Sequence, residues 1–145
     1  MITITKMTPA HLPQIHAIEC HSFSDPWHVD DILFEMQQSH SMNLVALLSD
    51  EVVGYVTMRH LVNEGHIGNL AVHEGHRKKG IGGALIEGLI EAAKSQEMIG
   101  ITLEVRVGNR AAMALYHKYG FKVEGYRRGF YRDPKEDAAI MWKMI

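Results

Sequence analysis

Residues 70–83 read LAVHEGHRKKGIGG and join an apolar, strand-like run to a helix that begins with glycines. Glycine lets a backbone come close to a ligand, and the first turn of a helix presents unpaired N–H groups to an anion. Three basic side chains, Arg77, Lys78 and Lys79, precede that turn. The stretch therefore predicts a site for a phosphate-bearing ligand. A glycine-containing turn with solvated lysines explains the same pattern, so the rest of the chain has to decide.

The same stretch does not fit the two common nucleotide motifs. It lacks the Gly-Lys-Ser/Thr ending of a P-loop and the glycine spacing of a dinucleotide fingerprint. A diphosphate on another kind of carrier fits it better.

Strand and helix signals surround this stretch on both sides. Strands are predicted at residues 2–6, 43–48, 52–62, 66–72, 101–107, 121–130 and 138–144. Helices are predicted from Thr8-Pro9 to Phe23, at 28–38, over the apolar repeat from Ile81 to Ala92, and from Asn109 as the N-cap to Gly120 as the left-handed end. The pattern indicates one α/β (α+β) domain over residues 1–145, with a mixed sheet flanked by helices.

Composition excludes several classes of protein. The chain has 145 residues, 46% of them apolar and 22% charged, which is typical of a globular domain. A net charge of -2 provides no basic field, so no nucleic-acid partner is predicted. No apolar run reaches membrane-spanning length, and residues 1–6 lack a signal-peptide core, so no membrane contact is expected. The single cysteine, Cys20, suits a reducing compartment, and a cytoplasmic location is predicted.

Ten histidines raise the question of a metal site. His11, His16, Cys20 and His21 share one predicted helix, but no second element carries ligands at a zinc-site spacing. No metal is therefore predicted.

Two separated motifs carry a resemblance to a known family. Arg77, Gly80 and Gly82 match Arg/Gln-x-x-Gly-x-Gly/Ala, and residues 109–121, NRAAMALYHKYGF, match Asn-x-x-Ala-x-x-Leu-Tyr-x-x-x-Gly-Phe. In this order they resemble the acetyl-coenzyme A motifs of the GNAT superfamily of N-acetyltransferases. The resemblance extends over the whole chain and implies the GNAT fold, a single domain with a central mixed, mostly antiparallel sheet flanked by helices.

Within the superfamily the chain is similar to the RimI-like ribosomal-protein-alanine N-acetyltransferases. The similarity lies in LEVR at 103–106, in RRGFY at 127–131 and in EDA at 136–138. The chain departs from that pattern at Phe130-Tyr131, where the family often has two tyrosines. The resemblance implies transfer of an acetyl group to the N-terminal alanine amine of a ribosomal protein.

The resemblance also implies which residues hold acetyl-CoA, the acyl-donor substrate. The amides of Lys78 to Gly83 would bind the diphosphate, the backbone of Leu70 to Val72 would pair with the pantetheine arm, and an N–H near Leu70 would polarise the acetyl carbonyl. The implied set is Leu70, Ala71, Val72, Arg77, Lys78, Lys79, Gly80, Ile81, Gly82, Gly83, Asn109 and Tyr116.

Acetyl transfer to an amine needs a base, a stabilised oxyanion and an acid for the leaving thiolate. Glu104 lies between Leu103 and Val105, where partial desolvation would make its carboxylate a better base, used directly or through water. The alternative is an outward-facing strand residue paired with Arg106. Tyr116 is the predicted general acid, and the alternative for it is a tyrosine that only packs in the core.

The acceptor site is predicted to include Trp27, Tyr131 and Glu136, because a polar peptide end needs acceptors and an aromatic wall. Trp27 could instead be a half-buried indole in a turn, and residues 135–137 could be a solvated hairpin turn. The sequence leaves two alternatives for the function. The acceptor could be a small polyamine-like amine or an internal lysine, or the chain could be a regulatory domain that binds acyl-CoA without catalysis, although binding alone would not require Glu104 and Tyr116.

Overall fold

The computed structural model describes residues 1–145 as seven strands and four α-helices. The strands are β1 (Ile2–Lys6), β2 (Ser41–Leu48), β3 (Glu51–Leu61), β4 (Glu64–Val72), β5 (Gly100–Arg106), β6 (Lys122–Arg132) and β7 (Lys135–Met144). The helices are α1 (Leu12–Ser22), α2 (Val29–Gln37), α3 (Ile81–Ser95) and α4 (Arg110–Lys118), with 3₁₀ turns at Pro9–His11 and Glu74–His76. The predicted order of strands and α-helices is confirmed.

All seven strands form one sheet in the order β1-β2-β3-β4-β5-β7-β6. Only β4 and β5 are parallel neighbours, because α3 forms the crossover between them. Their pairing covers Glu64–Ile67 of β4 and Gly100–Leu103 of β5 and then stops. Beyond that point β4 pairs only with β3, and β5 pairs only with β7. The sheet is therefore split between β4 and β5 at the carboxyl ends of these two strands.

Helices cover both faces of the sheet, as the sequence of β3 requires. Residues 52–58 of β3 are all buried, and their side chains alternate between two hydrophobic clusters. Val56 belongs to the larger cluster with Leu85 and Leu89 of α3. Tyr55 belongs to the smaller cluster with residues of α1 and α2. None of the helices combines the length and apolarity that a membrane crossing requires.

The β6–β7 hairpin differs from the sequence prediction. The last strand was predicted to begin at residue 138, with a solvated turn at residues 135–137 as the alternative to a site role, but β7 already begins at Lys135. The reason is that both acidic side chains find partners away from the turn. Glu136 accepts from the backbone N–H of Gly108 (2.7 Å), and Asp137 accepts from that of Gly129 (2.8 Å).

Glycines at the start of α3 have two separate structural roles. Gly80 adopts φ +80°, the left-handed region that a side chain disfavours, and a Cβ there would meet no atom within 4 Å. At Gly82 a Cβ would lie 2.9 Å from Leu115 of α4, and at Gly83 it would overlap the Tyr119 hydroxyl. Gly80 therefore sets the turn, whereas Gly82 and Gly83 allow α4 to approach α3.

We expect Gly83→Ala to lower the free energy of unfolding by about 1–3 kcal/mol, because overpacking forces α4 away from α3. Thermal unfolding measures the change. Adding Tyr119→Phe should restore part of the loss, since it removes the atom that the new methyl group meets first. Gly125→Ala is the matched control, because a Cβ there meets nothing within 4 Å. Equal stability of the two alanine variants would contradict this account of Gly83.

Candidate active site

A cavity of about 630 Å³ opens where the sheet splits. Its walls come from the connection between α1 and α2, the ends of β4 and β5, helix α4 and the β6–β7 hairpin. Of the predicted site residues, the cavity lining contains Trp27, Leu70, Glu104, Asn109, Tyr116 and Tyr131. The split therefore brings together predicted residues that lie far apart in the sequence.

Glu104 lies on β5 at the start of the split, with its side chain 16% exposed. His66 of β4 reaches it across the parallel pair, with Nε2 at 2.9 Å from Oε1 and 3.1 Å from Oε2. Arg106, the alternative partner considered from the sequence, instead donates to Glu136 (3.2 Å) and to the Pro134 carbonyl (2.8 Å). The Glu104 carboxylate is thus oriented by a histidine and faces the cavity.

Tyr116 of α4 belongs to the same cavity lining as Glu104. The residue is 6% exposed, and its ring packs edge-on against Phe121 at 5.6 Å. Burial, with Tyr131 as a smaller cause, raises the pKa of the Tyr116 phenol above its ordinary range. The hydroxyl therefore keeps its proton at neutral pH and can donate it.

Tyr131 lines the cavity from the β6–β7 hairpin. The Arg106 guanidinium lies 4.3 Å from the centre of its ring, a cation–π contact that fixes the ring. Burial raises the pKa of Tyr131 to about 12, and the nearby Glu104 carboxylate adds to the rise. Tyr131 is therefore a neutral aromatic wall close to Glu104.

The turn before α3 presents hydrogen-bond donors of the kind that an anion requires. The amides of Ile81, Gly82 and Gly83 are the first of the helix and have no intrahelical acceptor, and Gly80 leaves open space beside them. The Arg77 side chain turns back and donates to the Val72 carbonyl (3.2 Å) and to Ser22 (3.4 Å). Lys78 and Lys79 are exposed. The donors present fit the diphosphate of a coenzyme.

The comparison with known proteins decides the family. Residues 12–121 match the Acetyltransferase (GNAT) family. The chain belongs to the GNAT family. It is therefore an acetyl-CoA-dependent N-acetyltransferase of the GNAT type.

Individual GNAT proteins resemble the chain over nearly its whole length. The [ribosomal protein bS18]-alanine N-acetyltransferase of Salmonella typhimurium is 31% identical over 143 residues, 97% of this chain and 96% of that protein. The crystal structure of the ribosomal-protein-S18-alanine N-acetyltransferase from Escherichia coli superposes with a TM-score of 0.92 at 30% identity, covering 100% of this chain and 94% of that one. Arabidopsis thaliana NAA60 in complex with acetyl-CoA shares the fold, with a TM-score of 0.90 at 20% identity over 100% and 99% of the two chains.

Three further predicted residues, Asn109, Glu136 and Trp27, differ in their relation to the cavity. Asn109 accepts from the Ala112 N–H (3.1 Å) and so caps α4, as predicted, while it also lines the cavity. Glu136 does not line the cavity, because its carboxylate is bound to Arg106 and to Gly108. Trp27 is half-buried in the connection between α1 and α2, and it does line the cavity.

The sequence analysis missed two residues of this GNAT site. His66 is 38 positions from Glu104 and reaches it only because β4 and β5 run parallel. Glu19 of α1 is fully buried and also lines the cavity. The sequence does contain a sign of this burial, because Glu19 lies four residues after Ile15 and so shares the buried face of α1.

Proposed function

We propose that this GNAT enzyme acetylates the N-terminal α-amine of a protein, an alanine at the start of a bS18-like ribosomal protein in the cytoplasm. The observation that carries the proposal is that one cavity lining contains both the Glu104 carboxylate, which contacts His66, and the buried Tyr116 phenol. The bS18-alanine acetyltransferases that match the chain over its whole length support the choice of acceptor.

In the proposed reaction, acetyl-CoA and the acceptor are bound together. Glu104 takes a proton from the acceptor ammonium, directly or through one water, and His66 holds the carboxylate in place. The neutral nitrogen attacks the thioester carbonyl, and the backbone N–H near Leu70 stabilises the oxyanion. As the C–S bond breaks, Tyr116 donates its proton to the thiolate, which leaves an amide and free coenzyme A. The proton that the nitrogen loses on becoming an amide returns to the Tyr116 phenolate, and Glu104 releases its proton to solvent.

The acyl donor would lie along the split and end at the turn before α3. The amides at residues 78–83 would bind its diphosphate, and the unpaired side of β4 at residues 70–72 would bind the pantetheine arm. Asn109 would contact the coenzyme while capping α4. The thioester would then lie between Glu104 and Tyr116.

The acceptor would enter between Trp27 and Tyr131. Trp27 lies in the connection between α1 and α2, and Tyr131 lies in the β6–β7 hairpin. These two segments touch where the Ser24 hydroxyl donates to the Asp133 carbonyl oxygen. This contact favours an acceptor that enters end-on, since a chain lying across the cavity would have to break it. Glu136 would act from outside the cavity by holding Arg106 beside Tyr131.

The charges around the cavity favour a peptide end over a polyamine. The lining contains the acids Glu19, Asp25 and Glu104 beside the cations Arg106 and Arg132. A polyamine carries several positive charges and is better matched by a lining of carboxylates alone. A domain that only binds acyl-CoA would not need the His66-oriented Glu104 carboxylate and the Tyr116 phenol in the same cavity lining, which favours an enzyme.

The test is thiol release from acetyl-CoA with four acceptors. A peptide beginning with alanine is offered beside the same peptide with a blocked N-terminus, a lysine-containing peptide with a blocked N-terminus and a polyamine. We expect turnover with the free alanine terminus only. Turnover only with the polyamine or with the lysine peptide would refute the alanine terminus as the acceptor. Tight acetyl-CoA binding without any turnover would favour a regulatory domain.

A further inference from the structure

Four hydrogen bonds converge on the buried carboxylate of Glu19. The Asn69 amide donates to both of its oxygens (3.0 and 2.9 Å), the Trp27 backbone N–H donates to Oε2 (2.9 Å), and the Tyr55 hydroxyl donates to Oε1. The donors belong to β4, to the connection between α1 and α2, and to β3. Glu19 thus joins three parts of the molecule at the cavity.

This arrangement is unusual for a side chain on a helix stripe. Glu19 is 0% exposed and has no ion-pair partner among the salt bridges of the chain. A buried carboxylate destabilises a fold unless hydrogen bonds replace its hydration, and an apolar residue would fill the same stripe without that requirement. We therefore expect the hydrogen bonds of Glu19 to hold a part of the molecule in a position that apolar packing alone would not fix.

The hydrogen bond from Trp27 indicates which segment the Glu19 carboxylate holds in place. Residues 23–28 connect α1 to α2 and lie outside both helices, and the Trp27 N–H bond to Glu19 ties this connection to the sheet side of the cavity. The Trp27 indole rests on β4 at Gly68, where a Cβ would lie 3.1 Å from Cη2 of the ring. Asn69, the next residue of β4, is bound to the same carboxylate.

We propose that Glu19 is a positioning residue for the acceptor: it holds the Trp27 indole against Gly68 and so fixes one wall of the acceptor cavity. The inference rests on the proposed use of this cavity by the acceptor amine. Glutamine in place of Glu19 keeps the shape but turns one acceptor oxygen into a donor. Because the Asn69 amide donates to both oxygens, either orientation of the glutamine amide sets its NH2 group against Asn69, so at least one of the hydrogen bonds is lost and the hold on the wall weakens.

The first measurement does not depend on the acceptor. Trp27 and Trp142 are the two tryptophans, so Trp142→Phe leaves Trp27 as the one indole fluorophore. In that background we expect Glu19→Gln to shift Trp27 emission to longer wavelength and to increase its quenching by acrylamide. Glu64→Gln is the matched control, because Glu64 is a half-buried carboxylate at the start of β4 that lies outside the cavities that Trp27 lines. Emission that is unchanged by Glu19→Gln overturns the inference, whatever the acceptor is.

The second measurement is steady-state kinetics with the alanine peptide. We expect Glu19→Gln to raise the acceptor KM about tenfold while the acetyl-CoA KM stays within about twofold. Tyr55→Phe removes one donor and should shift the acceptor KM in the same direction by less, which keeps the test available if Glu19→Gln folds poorly. An unchanged acceptor KM, or an equal rise in both KM values, overturns the positioning role. Wild-type inactivity on every alanine peptide would instead refute the proposed acceptor, and Trp27 emission would still decide this inference.

Discussion

Glutamine at position 104 is expected to lower turnover about a hundredfold or more at pH 7, because a positioned general base contributes about 10²–10⁴-fold. Glutamine keeps the size of the side chain and can still contact His66, but it cannot take a proton. Acetyl-CoA binding, measured by calorimetry, should stay within about twofold, since the proposed partner of Glu104 is the acceptor amine and not the coenzyme. Glu35→Gln, whose carboxylate lies outside the cavity lining, is the control.

The pH dependence of the Glu104→Gln defect gives a sharper test. An N-terminal amine has an ordinary pKa of about 7.7–8.0, so most of the acceptor is already neutral above about pH 9. If Glu104 removes the ammonium proton, the defect should shrink as pH rises through that range. A defect of constant size from pH 7 to 9.5 would show that Glu104 does something other than deprotonate the acceptor.

Phenylalanine at position 116 is expected to lower turnover about 10–100-fold with little change in acetyl-CoA binding, because the leaving thiolate loses its proton donor. The ring still packs on Phe121, so the fold should be preserved. Tyr126→Phe, which removes an exposed hydroxyl from β6, is the control. Single-turnover kinetics that separate the chemical step from product release should place the loss in the chemical step.

The raised pKa of Tyr116 also predicts the alkaline side of the pH profile. An acid whose pKa is raised stays protonated to higher pH, so Tyr116 should remain a donor at pH 10, where an ordinary tyrosine is about half ionised. Wild-type turnover should therefore show no loss from phenol ionisation between pH 8 and about pH 10. A decline with an apparent pKa near 9 that is absent from Tyr116→Phe would contradict the protonation state assigned here.

Local sequence signals were sufficient where local chemistry decides the structure. Asn109 and Gly120 were predicted as the cap and the left-handed end of α4, because an N-cap and a left-handed residue each have a short list of suitable side chains, and Gly120 does adopt φ +95°. The predicted start of β7 was wrong because Lys135, Glu136 and Asp137 form a polar run, as in many turns. Glu136 instead binds Gly108, which is 28 residues away, and Asp137 binds Gly129 on the neighbouring strand of the hairpin, so contacts between elements overrode the local preference.

The active-site geometry needed information that the sequence does not contain. The His66–Glu104 contact depends on the register of β4 against β5, and no local pattern specifies how a crossover aligns two parallel strands. The same register fixes where pairing stops and therefore where the cavity opens. Glu19 is a different case from His66. The sequence shows an acidic residue on the apolar face of α1, but it does not show which residues hydrogen-bond to it.

The split between β4 and β5 also bears on how the protein avoids aggregation. Free strand edges recruit strands from other molecules unless they are short, irregular or charged. The outer edges meet these conditions, since β1 has five residues and β6 has irregular pairing and carries Arg127 and Arg128. The unpaired stretches of β4 and β5 at the split are two further edges, and both line the cavity. We expect the gap between them to admit a slender extended ligand, such as the proposed pantetheine arm, more readily than a strand of another molecule. The same opening would then offer backbone donors and acceptors to a substrate and withhold them from neighbouring molecules.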